Sequence, residues 1–305
     1  MFILSINIII LRLKINSRKS ENHHRTTVPG VLYCSGHPEG AGWILNMLIS
    51  SRQNEKIKQF LKVRSDAAAN HPWFVIEGEK LLRELLRSPH EPWQVFVLDG
   101  WEGKLPATAA REIYKVTPEV MEKLSSLKSP GWVVTLCRRQ EAAEPGSILA
   151  RTPWIVLDGI QDPGNVGTIF RTAEAFGISP VVLLPPSPSP FQEKVIRGSA
   201  GSSLRVPYWR PPDHGAFLEE LRRRRMTLWA LDPQGDVELK MVPPEGANAF
   251  LIGNEGHGPS PVLAPVVSRT VRIPIATGVD SLNAAVSAAL LLHRIQQIDR
   301  GPSPQ

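Results

Sequence analysis

Three segments in the second half of the chain combine glycines with polar and charged side chains, and each borders an apolar, strand-like or helical run. They are Asn165 to Arg171, Gly253 to Gly258, and Ser281 to Asn283. In open α/β sheets, ligands bind in the crevice beyond the carboxyl ends of the strands. The positions of the three segments therefore predict that each contributes to a binding or catalytic site at such an edge.

Each segment also has a purely structural interpretation. Arg171 lies roughly opposite the apolar stripe of its predicted helix, where a guanidinium points to solvent, and Asn165 could cap the first turn. The glycines of the second segment would let the backbone approach a ligand closely. They could equally form a strand-ending turn that exposes Glu255. In the third segment, Asp280 or Ser281 could serve only as the cap of the last helix.

The spacing of glycines and cysteines argues against two familiar types of site. The second segment does not match G-x-G-x-x-G, and the chain has no G-x-x-x-x-G-K-[ST], so a dinucleotide oxidoreductase or a P-loop is poorly supported. Cys34 and Cys137 are the only cysteines, and no Cys/His cluster has zinc-ligand spacing. We therefore expect neither a bound metal nor a disulfide framework.

The composition is that of a globular protein with a moderate excess of positive charge. Of the 305 residues, 42% are apolar and 21% are charged, and the formal net charge is +6. Such a chain is long enough for two domains, and its charge modestly favours a nucleic-acid partner. The apolar run from Phe2 to Leu13 is too short to cross a membrane, which takes about 20 residues. We expect no membrane association.

Alternating strand-like and helix-like runs predict two α/β domains. Residues 47–140 are expected to form a small domain, 141–153 a linker, and 154–300 a domain with a mostly parallel sheet. Residues 1–46 are crowded with isoleucine and differ from the rest. We expect them to be a disordered tail or an incorrectly assigned upstream extension, with Met47 the true start.

Two helices of the second domain carry segments of the expected site. The first is predicted over about 165–177, and the last over about 281–298. Residues 185–190 between them are rich in proline and are expected to be exposed. The positions expected to face the core are Val166, Ile169, Phe170, Ala173, Phe176 and Gly177 in the first helix, and Leu282, Ala285, Val286, Ala289 and Leu290 in the last.

Together the segments resemble a known family. The runs NVGTIFRTAEAFG, LIGNEGHG and SLNAAVSAALLLHRI are similar, in order and spacing, to the three motifs of the SpoU (TrmH) family of RNA 2′-O-ribose methyltransferases. The run ISSRQNEKIKQF and the later FVIEGEKLLREL resemble the small ribosomal-protein-like RNA-binding domain that many members carry. The resemblance implies S-adenosylmethionine as cofactor, a C-terminal trefoil knot that holds it, and a homodimer with the site near the subunit interface.

The same resemblance implies roles for individual residues. The family motifs assign catalysis and RNA contact to Asn165, Arg171, Glu255, Ser281 and Asn283. They assign cofactor binding to Gly253, Ile273 and Leu282. In the family proposal the arginine is the base, but an arginine stays protonated in proteins. We therefore expect Arg171 to orient the ribose hydroxyl and a phosphate, with proton removal shared or late.

The RNA would be held by basic side chains, most of them in the first domain. The residues expected to contact it are Arg52, Lys56, Lys58 and Arg197, with Lys62, Arg64 and Arg205 as further possibilities. Ribosomal RNA in a bacterial cytoplasm is the favoured setting, and an organelle is less favoured. The alternatives are a tRNA substrate, a non-catalytic RNA-binding or ribosome-assembly factor on the same fold, and a nucleotide oxidoreductase.

Overall fold

The computed structural model describes residues 44–65, 71–103, 110–140, 144–243, 246–254 and 256–299, with the side chains at 44–47 and 297–299 excepted. Most of the expected N-terminal extension, residues 1–43, lies outside the described residues, and so does Glu255. Within the described ranges, no helix is both long and apolar enough to cross a membrane.

In its described residues, the N-terminal domain is a five-stranded mixed sheet with three helices. Its elements are β1 (Ile44–Ile49), α1 (Glu55–Ser65), β2 (Trp73–Glu77), α2 (Glu79–Leu85), β3 (Glu91–Leu98), β4 (Glu112–Val116), α3 (Pro118–Leu124) and β5 (Val133–Arg138). The strand order is β1-β4-β3-β5-β2, and β5 runs antiparallel to both of its neighbours. β1 begins at Ile44 and crosses the expected boundary between residues 46 and 47. The domain limits stay a prediction.

As far as the structure describes it, the C-terminal domain is built on a seven-stranded sheet in which every pair of neighbouring strands is parallel. It is preceded by α4 (Pro145–Ile148). Its elements are β6 (Trp154–Asp158), α5 (Pro163–Phe176), β7 (Val181–Leu184), α6 (Glu193–Gly198), β8 (Tyr208–Trp209), α7 (His214–Arg223), β9 (Thr227–Leu231), β10 (Val237–Glu238), β11 (Asn248–Ile252), β12 (Arg269–Arg272) and α8 (Ala284–Asp299). The strand order is β10-β12-β9-β11-β6-β7-β8. The predicted α/β class with a mostly parallel sheet is confirmed.

Helices cover both faces of this sheet, which explains why its central strands are almost entirely apolar. Alternate residues of a strand point to opposite faces. Ile155 and Leu157 of β6 therefore pack beneath α5 and α8, while Trp154 and Val156 pack beneath α7. Four strands, β6, β7, β9 and β11, contribute to both layers, so the sheet forms the centre of the domain.

The structure differs from the sequence prediction in the linker and the proline-rich segment. Residues 145–148 form α4, and Leu149 is buried in the C-terminal core, so the second half of the predicted linker belongs to that domain. Residues 185–190 are not simply exposed. Ser187 is buried, and its hydroxyl is satisfied there: Oγ donates to the Leu157 carbonyl and accepts from the Gly159 amide.

Arg64 of α1 connects the two domains. Its guanidinium pairs with Glu77 at the end of β2 and with Glu193 of α6, at N···O distances of 2.8 and 2.6 Å. Burial would raise the pKa of the Glu77 carboxyl, but hydrogen bonds from Ser125, Ser126 and Arg64 lower it below its usual range. The Glu77 carboxylate therefore stays charged beside the arginine that joins the two domains.

Arg205 forms a second connection. It pairs with Glu84 of α2 at 2.8 Å and with Glu174 of α5 at 2.6 Å. Its guanidinium lowers the pKa of Glu174. The domains are in close contact here, because a Cβ atom added at Gly201 would lie 2.7 Å from the Glu84 Cβ atom. Each arginine thus joins a carboxylate of one domain to a carboxylate of the other.

We predict that Arg205→Met lowers the free energy of unfolding by about 2 kcal/mol. Removing one partner of a fully buried ion pair costs about 3–5 kcal/mol, and this site is partly exposed. Arg223→Met is the matched control, because Arg223 pairs with Glu220 at the surface with 58% of its side chain exposed. Urea denaturation should show a much smaller loss for the control. Equal losses in the two variants would show that the connection is not specific.

Candidate functional site

A cavity of about 320 Å³ opens where β9, β11 and β12 end. This is the carboxyl edge of the parallel sheet, where ligands of open α/β folds bind. The cavity brings together five residues that the sequence assigned to the site, from the second and third segments and from the position that follows β12. They are Gly253, Ile273, Ser281, Leu282 and Asn283.

The second segment folds back on itself to form one wall of this cavity. The backbone amides and carbonyls of Asn254 and Gly258 bond to each other at 3.0 and 2.9 Å. A Cβ atom at Gly253 would lie 2.4 Å from the Gly258 carbonyl carbon, so any larger residue there would move the turn. The wall is therefore built from closely packed backbone. Glu255, expected to be catalytic, lies outside the described residues.

The first and third segments meet through their asparagines. Asn283 Nδ2 donates to Asn165 Oδ1 at 3.0 Å, and Asn283 Oδ1 accepts from the amides of Ala285 and Val286 at the start of α8. Asn283 is therefore the cap of the last helix, which begins three residues later than predicted. A single side chain both starts α8 and fixes the distance between the first and third segments.

The cap expected at Asn165 is instead provided by an aspartate. Asp162 accepts from the amide of Gly164 and caps α5, which begins at Pro163. Asn165 lies inside the first turn and is buried. The predicted cap was three residues too late. The helix begins before its apolar stripe does, because proline is well suited to the first turn of a helix.

Asp158 is a residue of the site that the sequence reasoning missed. Its buried carboxylate accepts from the Ser260 amide at 2.7 Å and lies 3.1 Å from His214 Nε2. One residue further, the Gly159 carbonyl accepts from Asn254 Nδ2 at 3.0 Å. These bonds hold the second segment against the end of β6. The signal in the sequence was a lone carboxylate ending the apolar strand Trp154–Asp158.

Arg171 does not line the cavity. It lies on the exposed face of α5, as its position opposite the apolar stripe predicts. Among the described residues, no hydrogen bond or ion pair involves its guanidinium. The side chain is therefore accessible to a ligand that arrives from solvent, and its assigned role stays a prediction.

The basic residues expected to contact RNA are paired but accessible. Arg64 and Arg205 differ from that expectation, because both are committed to the connections between the domains. Lys62 is exposed, and among the described residues no ion pair involves it. Arg52, Lys56, Lys58 and Arg197 keep between about a third and a half of their side chains exposed. Their partners are Glu122 for Arg52, Glu112 for Lys56, Glu55 for Lys58 and Glu193 for Arg197, at 3.5, 3.1, 2.8 and 3.6 Å.

No group of three or more His, Cys, Asp or Glu side chains suited to a metal ion occurs among the described residues. The lining of the cavity suits an organic ligand. Leu231, Ile252, Ile273 and Leu282 offer an apolar surface, and the glycine-rich turn offers backbone donors and acceptors. A flat heterocycle with polar edges fits such a combination.

The known proteins that this chain resembles are named as methyltransferases. A 23S rRNA (guanosine(2553)-2′-O)-methyltransferase of Bacillus subtilis is 27% identical over 81% of this chain and 98% of its own length. An uncharacterized tRNA/rRNA methyltransferase of Synechocystis is 30% identical over 82% of this chain and 93% of its own. The solved structure of the SpoU methyltransferase AviRb from Streptomyces viridochromogenes, in complex with AdoMet, has the same fold. It aligns with a TM-score of 0.72 and 22% identity, over 83% of this chain and all of that one.

The model of the SpoU rRNA methylase family matches residues 153–293, which contain β6 to β12, most of α8 and all three segments. The similarity is not limited to those residues, because the Synechocystis relative is 30% identical over 82% of this chain, which includes part of the N-terminal domain. This chain belongs to the SpoU rRNA methylase family.

Proposed function

We propose that this protein transfers the methyl group of S-adenosylmethionine to a ribose 2′-hydroxyl of ribosomal RNA. As a SpoU family member it is an S-adenosylmethionine-dependent RNA methyltransferase. The observation that carries the proposal is the meeting of the three segments at one edge of the sheet. The second and third segments line one cavity, and the Asn165–Asn283 bond holds the first segment against them.

The cavity fits the cofactor. The turn at Gly253 forms a cradle of closely packed backbone, in which an added Cβ atom would collide with Gly258. Without side chains in the way, the backbone groups of this cradle can line the cavity and approach a ligand closely. We assign Gly253, Ile273 and Leu282 to the adenosine part, with Ile273 and Leu282 covering an apolar ring. When bound, the cofactor supplies a methyl group activated by a positively charged sulfur.

We predict that Gly253→Ala weakens S-adenosylmethionine binding at least tenfold, because the added Cβ atom displaces the Gly258 backbone and deforms the cradle. Isothermal titration calorimetry measures the change. Gly146→Ala is the matched control, since a Cβ atom at that position of α4 has no neighbour within 4 Å. Unchanged cofactor affinity in Gly253→Ala would remove this turn from the cofactor site.

The chain's own residues then position the nucleophile. Arg171 presents a fork of donors that can hold the ribose oxygen and an adjacent phosphate. Asn165 and Asn283 hold the start of α5 against α8, and Ser281 lies at the cavity mouth, where it can contact the nucleotide. Glu255 is proposed as the remaining polar partner. We infer that acceleration comes mainly from orienting the hydroxyl in line with the transferred methyl group.

We predict that Arg171→Ala lowers kcat by about 10²–10⁴-fold, the range typical for loss of a group that acts in the transition state. Cofactor affinity should not change, because Arg171 lies outside the cavity lining. Arg222→Ala removes an exposed arginine of α7 and controls for net charge. Methyl transfer to ribosomal RNA at the wild-type rate in Arg171→Ala would exclude this residue from catalysis.

Ribosomal RNA is proposed as the substrate because the Bacillus subtilis relative, matched over almost its whole length, is named for that substrate. The N-terminal domain is proposed to be the ribosomal-protein-like RNA-binding unit. Its accessible cations Arg52, Lys56 and Lys58, together with Arg197, are proposed to contact RNA. A bacterial cytoplasmic location is proposed from the bacterial origin of the relatives.

The trefoil knot is also a proposal. It is supported by β11, which lies between β6 and β9 although β9 precedes it in the chain. It is supported further by backbone packed against backbone at Gly235, where a Cβ atom would lie 2.7 Å from the Arg272 amide nitrogen. An experimental structure in which the C-terminal segment does not thread through a loop of the chain would contradict the knot.

We propose a homodimer that forms through α8. Val286 and Leu290 were expected in the core, but they are 48% and 41% exposed and form a stripe one helical turn apart. A second copy of the chain would cover them. This exposed stripe lies on the side of α8 opposite Ala284, Ala288 and Leu291, which are the residues that α8 buries in the core.

We predict that Leu290→Glu converts a dimer to a monomer, because a charge would be buried at the interface. Sedimentation velocity should give twice the chain mass for the wild type and one chain mass for the variant. Leu127→Glu, at an exposed leucine of the N-terminal domain, should remain a dimer. A monomeric wild-type protein would contradict the proposal.

A further inference from the structure

A second cavity, of about 590 Å³, lies between the two domains. One wall is formed by His71 and the first residues of β2, and the other by residues 186–197 of the methyltransferase domain. Its described lining contains four cations and one carboxylate: Arg64, Lys194, Arg197, Arg210 and Glu193. Since Glu193 is paired with Arg64, the remaining surface of this interdomain cleft is positively charged.

Arg210 differs from Arg64 and Arg205, the two arginines that pair with carboxylates of both domains. Its Nη2 donates to the Ser187 carbonyl at 3.2 Å, and its buried Nη1 has no acceptor among the described residues. No carboxylate of the described residues pairs with it, whereas Arg64 and Arg205 each have two. Burial lowers the pKa of Arg210, and the positive charge of Arg139 lowers it further. A guanidinium held in this way lacks the anion that would stabilise it.

The two other cations of the cleft are also available. Lys194 is exposed on α6, and no ion pair involves it among the described residues. Arg197 has only long contacts, at 3.6 Å to Glu193 and 3.5 Å to Ser126. Three positive charges therefore face a cleft whose volume lies within the roughly 300–1,000 Å³ of sites that enclose one ligand-sized group.

We propose that the interdomain cleft binds the phosphodiester backbone of the substrate RNA, with Arg210, Arg197 and Lys194 as its phosphate ligands. This inference rests on the proposed function for the identity of the ligand. A guanidinium fork binds phosphate oxygens in pairs, and release of counterions from the RNA favours such contacts. The RNA would pass between the domains, and α6 would form one side of its path.

A chain of hydrogen bonds joins this cleft to the candidate active site. Arg210 donates to the Ser187 carbonyl, and Ser187 Oγ accepts from the Gly159 amide at 3.1 Å. The Gly159 carbonyl in turn accepts from Asn254 in the second segment. A phosphate held by Arg210 is thus fixed relative to the cradle, which sets the distance between the bound backbone and the reacting ribose.

The test compares Arg210→Gln and the double variant Lys194→Gln/Arg197→Gln with Arg222→Gln, which removes one charge from α7 outside the cleft. Affinity is measured by fluorescence anisotropy with labelled single-stranded RNA of mixed sequence, across a series of salt concentrations. We expect both cleft variants to bind RNA about tenfold more weakly. The slope of log K against log salt should fall by about 0.7 for each phosphate that the variant no longer neutralises.

Thermal melting and cofactor titration separate this role from a structural one. Because Arg210 is partly buried and no carboxylate of the described residues pairs with it, Arg210→Gln should melt no lower than the wild type and should bind S-adenosylmethionine equally well. A lower melting temperature with unchanged RNA affinity would make Arg210 a structural residue and overturn the proposal. Stabilisation by inorganic phosphate that Arg210→Gln abolishes, again with unchanged RNA affinity, would assign the cleft to a small anion and also overturn it.

Methyl transfer to ribosomal RNA, measured in parallel, keeps the two proposals distinct. If the wild type methylates RNA while the cleft variants retain full RNA affinity, the cleft proposal fails and the proposed function stands. If the wild type transfers no methyl group but the cleft variants lose RNA affinity, the proposed function fails and the cleft still binds RNA.

Discussion

The arrangement of the molecule depends on one close contact between helices. At Gly167 a Cβ atom of α5 would lie 2.7 Å from the Val195 carbonyl oxygen of α6, so no side chain fits there. This contact holds α5, which carries Asn165 and Arg171, at a fixed position beside α6. Because α6 also carries Glu193, which pairs with Arg64, the helix of the candidate site and the N-terminal domain are joined through a few rigid contacts. RNA bound by one domain would therefore reach the other at a set distance.

The sequence predicted most of the fold because its signals were local. Apolar periodicity gave the central strands and the buried faces of α1 and α5, and glycine and proline marked most boundaries. The failures share a physical cause, which is tertiary packing. Leu149 enters the C-terminal core although its neighbours lack periodicity, and Val286 is exposed although its helix is apolar. The sequence around Leu149 does not show what this side chain packs against, and the sequence of α8 does not show which of its apolar faces the core covers.

The site was predicted unevenly for a related reason. Residues whose role depends on backbone, such as Gly253, are visible in sequence because only glycine permits the close approach. Asp158 was missed because its partners, the Ser260 amide and His214, are 102 and 56 residues away along the chain. Arg210 was missed because a single sequence does not show that no carboxylate of the described residues pairs with it. That becomes visible only when the residues around it in the fold are known. The exposed Arg171 was identified from the family motif.

The three segments are proposed to form one centre for methyl transfer to ribose. The most direct measurement is incubation of the purified protein with methyl-labelled S-adenosylmethionine and unmodified ribosomal RNA. The RNA is then digested to nucleosides and analysed by mass spectrometry. We expect label in one 2′-O-methylated nucleoside, and a neighbouring phosphodiester bond that resists alkaline cleavage. Label on a base, or no transfer by a protein that binds both ligands, would contradict this assignment.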